Sequence, residues 1–136
     1  MQLDRRTILA AGGALLLVPA AAHAAVEDAI AAFTGGADTA EGGGLTLTAP
    51  EIAENGNTVP IEVSAPGAEA ILVLAAGNPV PNVGEFKFGP LAASQYASTR
   101  IRLAGTQDVI AIAKMPDGTF QRVSQEVKVT IGGCGG

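Results

Sequence analysis

The sequence predicts an all-β protein: an immunoglobulin-like antiparallel β-sandwich with a short N-terminal helix and a flexible C-terminal arm. Three observations predict this fold class. Apolar and polar residues alternate over short runs, which places one face of each strand on a core and the other in water. Glycine, proline, asparagine and aspartate separate these runs, as turn residues do. About seven such runs occur in roughly 90 residues, a spacing typical of β-sandwiches.

The alternating runs extend from Leu45 to Ile131, and we predict the sandwich over residues 45–131. Two runs, residues 71–74 and 109–113, are apolar at every position, which predicts central strands or strands whose outer face meets a partner. Pro60 predicts that its strand lies at a sheet edge. The tetrapeptide PDGT at residues 116–119 predicts a hairpin turn, and residues 54–57 and 78–82 predict two further turns.

A short helix is predicted before the sandwich. Val26, Ile30 and Phe33 recur at helical spacing, and Gly35-Gly36 is a helix-ending pair. Residues 25–44 are therefore expected to form a short helix and a Gly-rich linker. The glycine triplet at residues 42–44 is interpreted as a flexible connection.

The first 24 residues have the pattern of an export signal. Arg5-Arg6 precedes an apolar run, and Ala22-His23-Ala24 supplies the small residues before a cleavage site, which we place between Ala24 and Ala25. The run is about 15 residues long, too short to span a bilayer comfortably. The paired arginines followed by apolar residues favour the twin-arginine route. We therefore expect residues 1–24 to be removed, leaving a periplasmic protein without a membrane anchor.

The signal departs from the usual twin-arginine pattern at two positions. Asp4 stands where Ser or Thr often precedes the pair, and Ile8 stands where Phe is common. These departures bear only on the route of export.

Composition excludes most catalytic chemistry in the mature chain. Residues 25–136 contain six Lys or Arg against twelve Asp or Glu, a formal net charge of −6, which argues against nucleic-acid binding. The only histidine, His23, leaves with the signal, so no Ser-His-Asp or Cys-His site can form. A metal site would have one thiolate and no imidazole. Glu51 and Glu54 are interpreted as a solvated turn. We expect no catalytic residues and no metal ligands.

Cys134, the only cysteine, lies between Gly132-Gly133 and Gly135-Gly136 at the end of the chain. The glycines leave nothing to bury the thiol, and prenylation would need three residues after it. A disulfide with a second copy is possible for a lone exported cysteine but gives no reason for four glycines. Five residues reach at most about 17 Å when extended. Residues 132–136 therefore predict an arm that carries cargo on the Cys134 thiol into the active sites of other proteins.

The terminal TIGGCGG with the N-terminal arginine pair resembles the SoxY family, the sulfur-carrier subunits of the bacterial Sox thiosulfate-oxidising system. The interior agrees with the resemblance over essentially the whole mature chain. The agreeing stretches are PEIAENG (50–56), NPVP (78–81), STRIRLA (98–104) and MPDG (115–118).

The resemblance implies a reaction cycle on Cys134. A c-type cytochrome would join the thiol oxidatively to the outer sulfur of thiosulfate, and a hydrolase would release sulfate. A haem and molybdenum dehydrogenase would then oxidise the remaining sulfane sulfur. The chain itself would hold no cofactor other than this covalent sulfur adduct. The resemblance also implies a heterodimer with a second immunoglobulin-like subunit of the SoxZ type, for which the two fully apolar strands are candidate contacts.

Two alternatives remain open. Small β-grasp proteins also end in Gly-Gly and carry sulfur as a thiocarboxylate, which for this chain would form on Gly136. That chemistry needs ATP, which the predicted export makes unavailable. A non-covalent immunoglobulin-like binding module with an incidental cysteine is the other alternative.

Overall fold

The computed structural model describes residues 18–41 and 43–131, which form one helix and nine strands. The helix α1 spans Val18–Thr34. The strands are β1 (Thr39–Glu41), β2 (Thr46–Thr48), β3 (Ile52–Ala53), β4 (Val59–Ser64), β5 (Ala70–Ala75), β6 (Asn82–Lys87), β7 (Tyr96–Ile101), β8 (Gln107–Lys114) and β9 (Phe120–Val129).

The strands form two sheets that pack face to face. The larger sheet has the order β1-β9-β8-β5-β6, with β3 also paired to β9, and the smaller has the order β2-β4-β7. Neighbours are antiparallel except β1 and β3, which both run parallel to β9. The predicted all-β sandwich with an N-terminal helix is confirmed. The strands β1, β3 and β6 were not predicted, because β1 and β3 are too short to alternate and β6 is broken by Gly84.

The main core lies between the two sheets. Inward-facing side chains of β4, β5 and β8 meet there, and all are almost completely buried. The largest fully buried members are Ile61, Ile71, Val59, Val63, Val73, Val109, Val127 and Leu103. Each Å² of apolar surface removed from water stabilises the fold by roughly 25 cal/mol. This buried layer is therefore the main source of stability.

A second apolar cluster covers the outer face of the larger sheet. Val26 and Ile30 of α1 pack on this face, and the Phe33 and Phe120 rings meet edge to face with centroids 5.9 Å apart. The sheet contributes Leu72, Leu74, Ile110, Ile112 and Phe120. The prediction that residues 71–74 and 109–113 form central strands is confirmed. The alternative that their outer face awaits a partner is wrong, because the chain's own helix covers it.

The helix is longer than predicted and ends where predicted. It begins at Val18, so the predicted cleavage site between Ala24 and Ala25 lies inside it. At its other end Gly35 and Gly36 both have positive φ, and the Gly35 N–H still donates to the Ala31 carbonyl at 2.8 Å. No helix within the described ranges is long and apolar enough to cross a membrane.

The stretch predicted as a linker contains the short strand β1, paired to the start of β9. Gly43 is not merely part of a flexible connection. A Cβ on Gly43 would lie 2.5 Å from the Gln121 side chain, whose Oε1 accepts the Leu45 N–H at 3.0 Å. Gly43 therefore allows the backbone to lie close against Gln121.

Two prolines explain why the chain leaves the smaller sheet after β2. The β2–β4 register pairs Thr46 with Ser64 and Thr48 with Glu62, and its continuation would place Pro50 opposite Pro60. Neither proline has an N–H, so the ladder stops there and the chain crosses to β9 as β3. The prediction that Pro60 lies in an edge strand is wrong, since β4 is the centre of its sheet. Pro60 itself lies beyond the end of β2, so β2 has no residue opposite it that would need an N–H from this position.

The hairpin predicted at residues 116–119 joins β8 to β9 and is confirmed. Gly118 has a φ of 87°, which favours glycine, and its N–H donates to the Met115 carbonyl at 3.0 Å. The Asp117 Oδ1 accepts from the Thr119 N–H at 2.9 Å and from its hydroxyl at 2.6 Å.

Candidate functional site at the root of the arm

The predicted carrier arm, with Cys134 and Gly132, Gly133, Gly135 and Gly136, lies outside the described residues, as do Arg5 and Arg6. The described chain ends at Ile131, directly before the arm. We call the segments that hold this end the arm root. It comprises residues 51–57, 103–106 and 128–131.

The strand β3 holds the last residues of β9 from one side. The Lys128 N–H donates to the Glu51 carbonyl at 2.9 Å, and the Thr130 N–H donates to the Ala53 carbonyl at 3.0 Å. Pro50 directs the chain to this position after β2. The crossing to the larger sheet therefore supplies the carbonyls that hold the backbone just before the arm.

Gly56 connects the arm root to the smaller sheet. Its N–H donates to the Ile131 carbonyl at 2.7 Å, and its carbonyl accepts the Leu103 N–H at 2.7 Å. Gly56 is buried, in the turn predicted at residues 54–57. In that turn the Asn57 N–H donates to the Asn55 Oδ1 at 2.9 Å. The backbone is therefore hydrogen-bonded up to the residue that precedes Gly132.

The loop at residues 102–106 supports the end of β9 within the arm root. The Thr106 Oγ1 accepts the Val129 N–H at 2.9 Å. Asn78 holds this loop in place: its Nδ2 donates to the Arg102 carbonyl at 2.8 Å, and its Oδ1 accepts the Ala104 N–H at 2.9 Å. The buried Gln107 Nε2 donates to the same Oδ1 at 2.9 Å.

Only part of this support could be expected from the sequence. Asn78 begins the NPVP stretch that predicted a turn, but its role in bonding a second loop had no signal. Thr106 and Gly56 lack any pattern that distinguishes them from ordinary loop residues. Their partners are 23 and 75 residues away along the chain, and only the sheet topology brings them together.

The surface around the arm root is open, acidic and partly apolar. Ile52 and Ile131 are 62% and 66% exposed. Glu51 and Glu54 are exposed, as expected for a solvated turn. A surface groove of about 470 Å³ is lined by Glu51, Ile52, Gln125, Glu126 and Lys128. Among residues 18–41 and 43–131, no three His, Cys, Asp or Glu side chains are grouped so as to hold a metal ion.

Two titratable groups outside the arm root have shifted pKa values. The hydroxyl and backbone N–H of Thr119 stabilise the Asp117 carboxylate and lower its pKa. The hydrogen bond that the Tyr96 hydroxyl donates to Glu62 raises the pKa of Tyr96. Both groups are exposed, and neither lies in a cleft with a nucleophile, so neither marks a catalytic centre.

Comparison with solved structures supports the fold and points to one family. The sulfur carrier protein SoxY from Chlorobium limicola f thiosulfatophilum superposes with a TM-score of 0.71 at 34% sequence identity, covering 79% of this chain and 94% of that one. A superoxide reductase (neelaredoxin) from Ignicoccus hospitalis superposes with a TM-score of 0.55 at 20% identity, covering 62% and 79%. That second likeness shows the fold alone. Among curated proteins, no match is found.

The family model described as sulfur oxidation protein SoxY matches residues 30–134. The match therefore begins in α1, covers both sheets and the arm root, and ends at Cys134. Together with 34% identity to a SoxY of known structure, it confirms the resemblance and supports a carrier role in sulfur oxidation. The chain belongs to the SoxY family of sulfur oxidation proteins.

Proposed function

We propose that this chain is a periplasmic sulfur carrier that holds thiosulfate-derived intermediates covalently on the Cys134 thiol and presents them to partner enzymes. One observation carries the proposal. The backbone is hydrogen-bonded up to Ile131, and the chain then continues as GGCGG, whose cysteine is where the family match ends. A fixed root followed by glycines and one thiol is what a covalent carrier requires.

The chemistry of loading determines which partners are needed. Joining the thiol of Cys134 to the outer sulfur of thiosulfate forms an S–S bond and releases a proton and two electrons. This chain's own residues offer no acceptor for those electrons, so a c-type cytochrome is the proposed acceptor. In a partner hydrolase, water then attacks the sulfonate sulfur and breaks its bond to the sulfane sulfur, which releases sulfate and two protons and leaves a persulfide on Cys134. A haem and molybdenum dehydrogenase then takes electrons from that sulfane sulfur onto its own redox centres and adds oxygen from water, which converts the persulfide to an S-sulfonate. A second hydrolysis of this S–S bond releases sulfate and frees the thiol.

The charge of the arm root favours covalent over reversible holding of the cargo. Thiosulfate is an anion, whereas Glu51 and Glu54 are exposed beside Ile131 and the mature chain carries a net charge of −6. Such a surface repels free anions. A covalent bond retains an anionic cargo against this repulsion, and the repulsion then helps to present the cargo outward.

The length of the arm and the conformational entropy that it loses on binding favour short-lived binding to several enzymes in turn. Five residues after Ile131 extend at most about 17 Å, enough to enter a channel while the sandwich stays outside. Ordering each residue costs about 1–2 kcal/mol. The two exposed isoleucines at the root, Ile52 and Ile131, are available to contact the rim of an enzyme's channel.

We also propose a heterodimer with an immunoglobulin-like subunit of the SoxZ type and export by the twin-arginine route. Because α1 covers the outer face of β5 and β8, the contact with that subunit would lie elsewhere on the sandwich. Export of a folded heterodimer would carry along a partner that lacks its own signal. Arg5→Lys/Arg6→Lys should then retain the full-length precursor in the cytoplasm, as fractionation and immunoblotting would show.

The proposal is tested by Cys134→Ser in a thiosulfate-oxidation assay reconstituted with the partner enzymes. We expect the variant to fold normally and to support no oxidation above background. Deletion of Gly136 is the matched control, since a thiocarboxylate carrier would need Gly136 and a thiol carrier would not. Oxidation by Cys134→Ser at the native rate would overturn the proposal in favour of a non-covalent binding role.

A further inference from the structure

The turn at residues 54–57 contains a dipeptide with its own covalent chemistry. The chain has four asparagines, and only Asn55 is followed by glycine. The backbone nitrogen of the following residue can attack an asparagine side-chain amide, which forms a cyclic succinimide and releases ammonia. Glycine favours this attack because it has no Cβ to obstruct the ring. Asn55 is exposed, so water can reach the ring and open it.

Two hydrogen bonds of this turn act on the reaction in opposite directions. The Asn57 N–H donates to the Asn55 Oδ1 at 2.9 Å. A donor in this position stabilises the negative charge that develops on Oδ1 during attack. The Gly56 N–H donates to the Ile131 carbonyl at 2.7 Å. The carbonyl that would be attacked is therefore activated, whereas the attacking nitrogen is held by the residue that follows β9.

The bond between Gly56 and Ile131 cannot persist when the ring forms. The Gly56 nitrogen carries a hydrogen in the native chain and none in the succinimide, so this bond must break. Gly56 is buried, and its carbonyl accepts the Leu103 N–H at 2.7 Å, so the residue is held on both sides. Ring closure therefore requires local opening of the arm root, an event whose free energy differs between segments of a native protein.

We propose that Asn55-Gly56 is a deamidation site that the Gly56–Ile131 hydrogen bond protects until the arm root opens. In the covalent step the Gly56 nitrogen bonds to the Asn55 Cγ, and the side-chain amide leaves as ammonia with the proton that Gly56 loses. Water then opens the succinimide. Opening at Cγ gives aspartate at position 55, and opening at the main-chain carbonyl gives isoaspartate, whose backbone runs through Cγ.

Both products change the arm root. Each adds a carboxylate to a turn that already has Glu51 and Glu54 exposed. Isoaspartate also adds one carbon to the backbone directly before Gly56. The longer backbone displaces the N–H and the carbonyl through which Gly56 links Ile131 to Leu103. The isoaspartate form should therefore exchange the Leu103 amide faster than the native chain does.

Peptide mapping by mass spectrometry, during incubation of the purified mature chain at mildly alkaline pH, tests the proposal. Asn55 should deamidate before Asn57 and Asn82, which are also exposed but precede threonine and valine. Unfolding in urea removes the protection and should speed deamidation of Asn55 at least about tenfold. Asn55→Gln is the matched control and should stay unmodified, because glutamine would have to form a larger ring.

A pair of variants tests the protection without unfolding the chain. Thr106→Val removes the acceptor of the Val129 N–H, which favours opening of the arm root, and should speed deamidation of Asn55 at least about twofold. Thr106→Ser keeps the hydroxyl and should deamidate at the native rate. All of these measurements use the chain without cargo, so their outcome is independent of the proposed sulfur carriage.

Three results would overturn the proposal. The first is an intact Asn55 in the urea-unfolded chain, which would show that the dipeptide is not reactive. The second is an equal rate of deamidation in the native and unfolded chains, which would show that the bond to Ile131 gives no protection. The third is a native rate in Thr106→Val although the Val129 amide exchanges faster, since opening of the root would then not control the reaction.

Discussion

The backbone N–H of Gly56 donates a 2.7 Å hydrogen bond to the carbonyl of Ile131, the last described residue before the GGCGG arm. Gly56 also accepts the Leu103 N–H, so one buried residue links the end of β9 to the connection that follows β7. The chain is thus held from two sides where the arm begins. This arrangement separates a rigid carrier body from the residues that we propose to enter partner enzymes.

Thr106→Val should loosen the arm root with a small loss of stability. The substitution removes the oxygen that accepts the Val129 N–H, an exposed bond whose loss costs about 0.5–1.5 kcal/mol. We expect faster amide exchange at Val129 and Thr130. Thr106→Ser keeps the hydroxyl and is the matched control. Unchanged exchange at Val129 in Thr106→Val would show that the hydroxyl does not support the root.

Asn78→Ala should be among the most destabilising polar substitutions in the sandwich. It removes both partners of the loop at residues 102–106 and leaves the buried Gln107 amide without its Asn78 acceptor. We expect at least about 2 kcal/mol lower free energy of unfolding in urea titrations. Asn82→Ala, at an exposed asparagine of β6, should cost less than about 0.5 kcal/mol. Equal effects of the two variants would contradict the account of this network.

Thr119→Val should raise the pKa of Asp117 by removing the hydroxyl that stabilises its carboxylate. A carboxyl with a lowered folded-state pKa stabilises the fold above its unfolded pKa of about 3.9 and loses this contribution as the pH falls through the folded value. The difference in melting temperature between native and Thr119→Val should therefore shrink between pH 6 and pH 3. NMR titration of the Asp117 carboxyl carbon measures the shift directly, and Thr119→Ser should behave like the native chain.

Gly133→Val should slow turnover by the partner enzymes without changing the melting temperature by more than about 1 °C. A β-branched residue next to Cys134 restricts the backbone and widens the segment that would enter an active site. Gly133→Ala should show a smaller defect. If Gly133→Val instead lowers the melting temperature by several degrees, the segment packs on the sandwich and is not an arm.

The sequence was most informative where structure depends on neighbouring residues. Gly118 and Asp117 specify the β8–β9 turn within four residues, and the wholly apolar run at residues 71–74 marks a strand buried on both faces. The same run does not indicate what covers its outer face. In the structure, Val26 and Ile30 of α1 pack there. Their helical spacing predicts that the helix has an apolar side, but it does not indicate which surface that side contacts.

The arm root could not be predicted for a similar reason. Gly56 lies in a turn that the sequence located correctly, whereas Pro60 wrongly predicted an edge strand. The turn's function depends on the crossing of the chain at Pro50, which brings β3 to the end of β9. That crossing follows from a register between β2 and β4, which no local pattern reveals. Cys134, by contrast, is proposed as the cargo site from its flanking glycines, without any reference to the fold.

The intact mass of the periplasmic protein, recorded with and without reductant, decides whether the Cys134 thiol carries sulfur. If Cys134 is the carrier thiol, we expect adducts of one or more sulfur atoms, or of a thiosulfonate group, that map to Cys134, are removed by reductant and are absent from Cys134→Ser. An unmodified Cys134 in cells that are oxidising thiosulfate, or sulfur found on Gly136 instead, would contradict it.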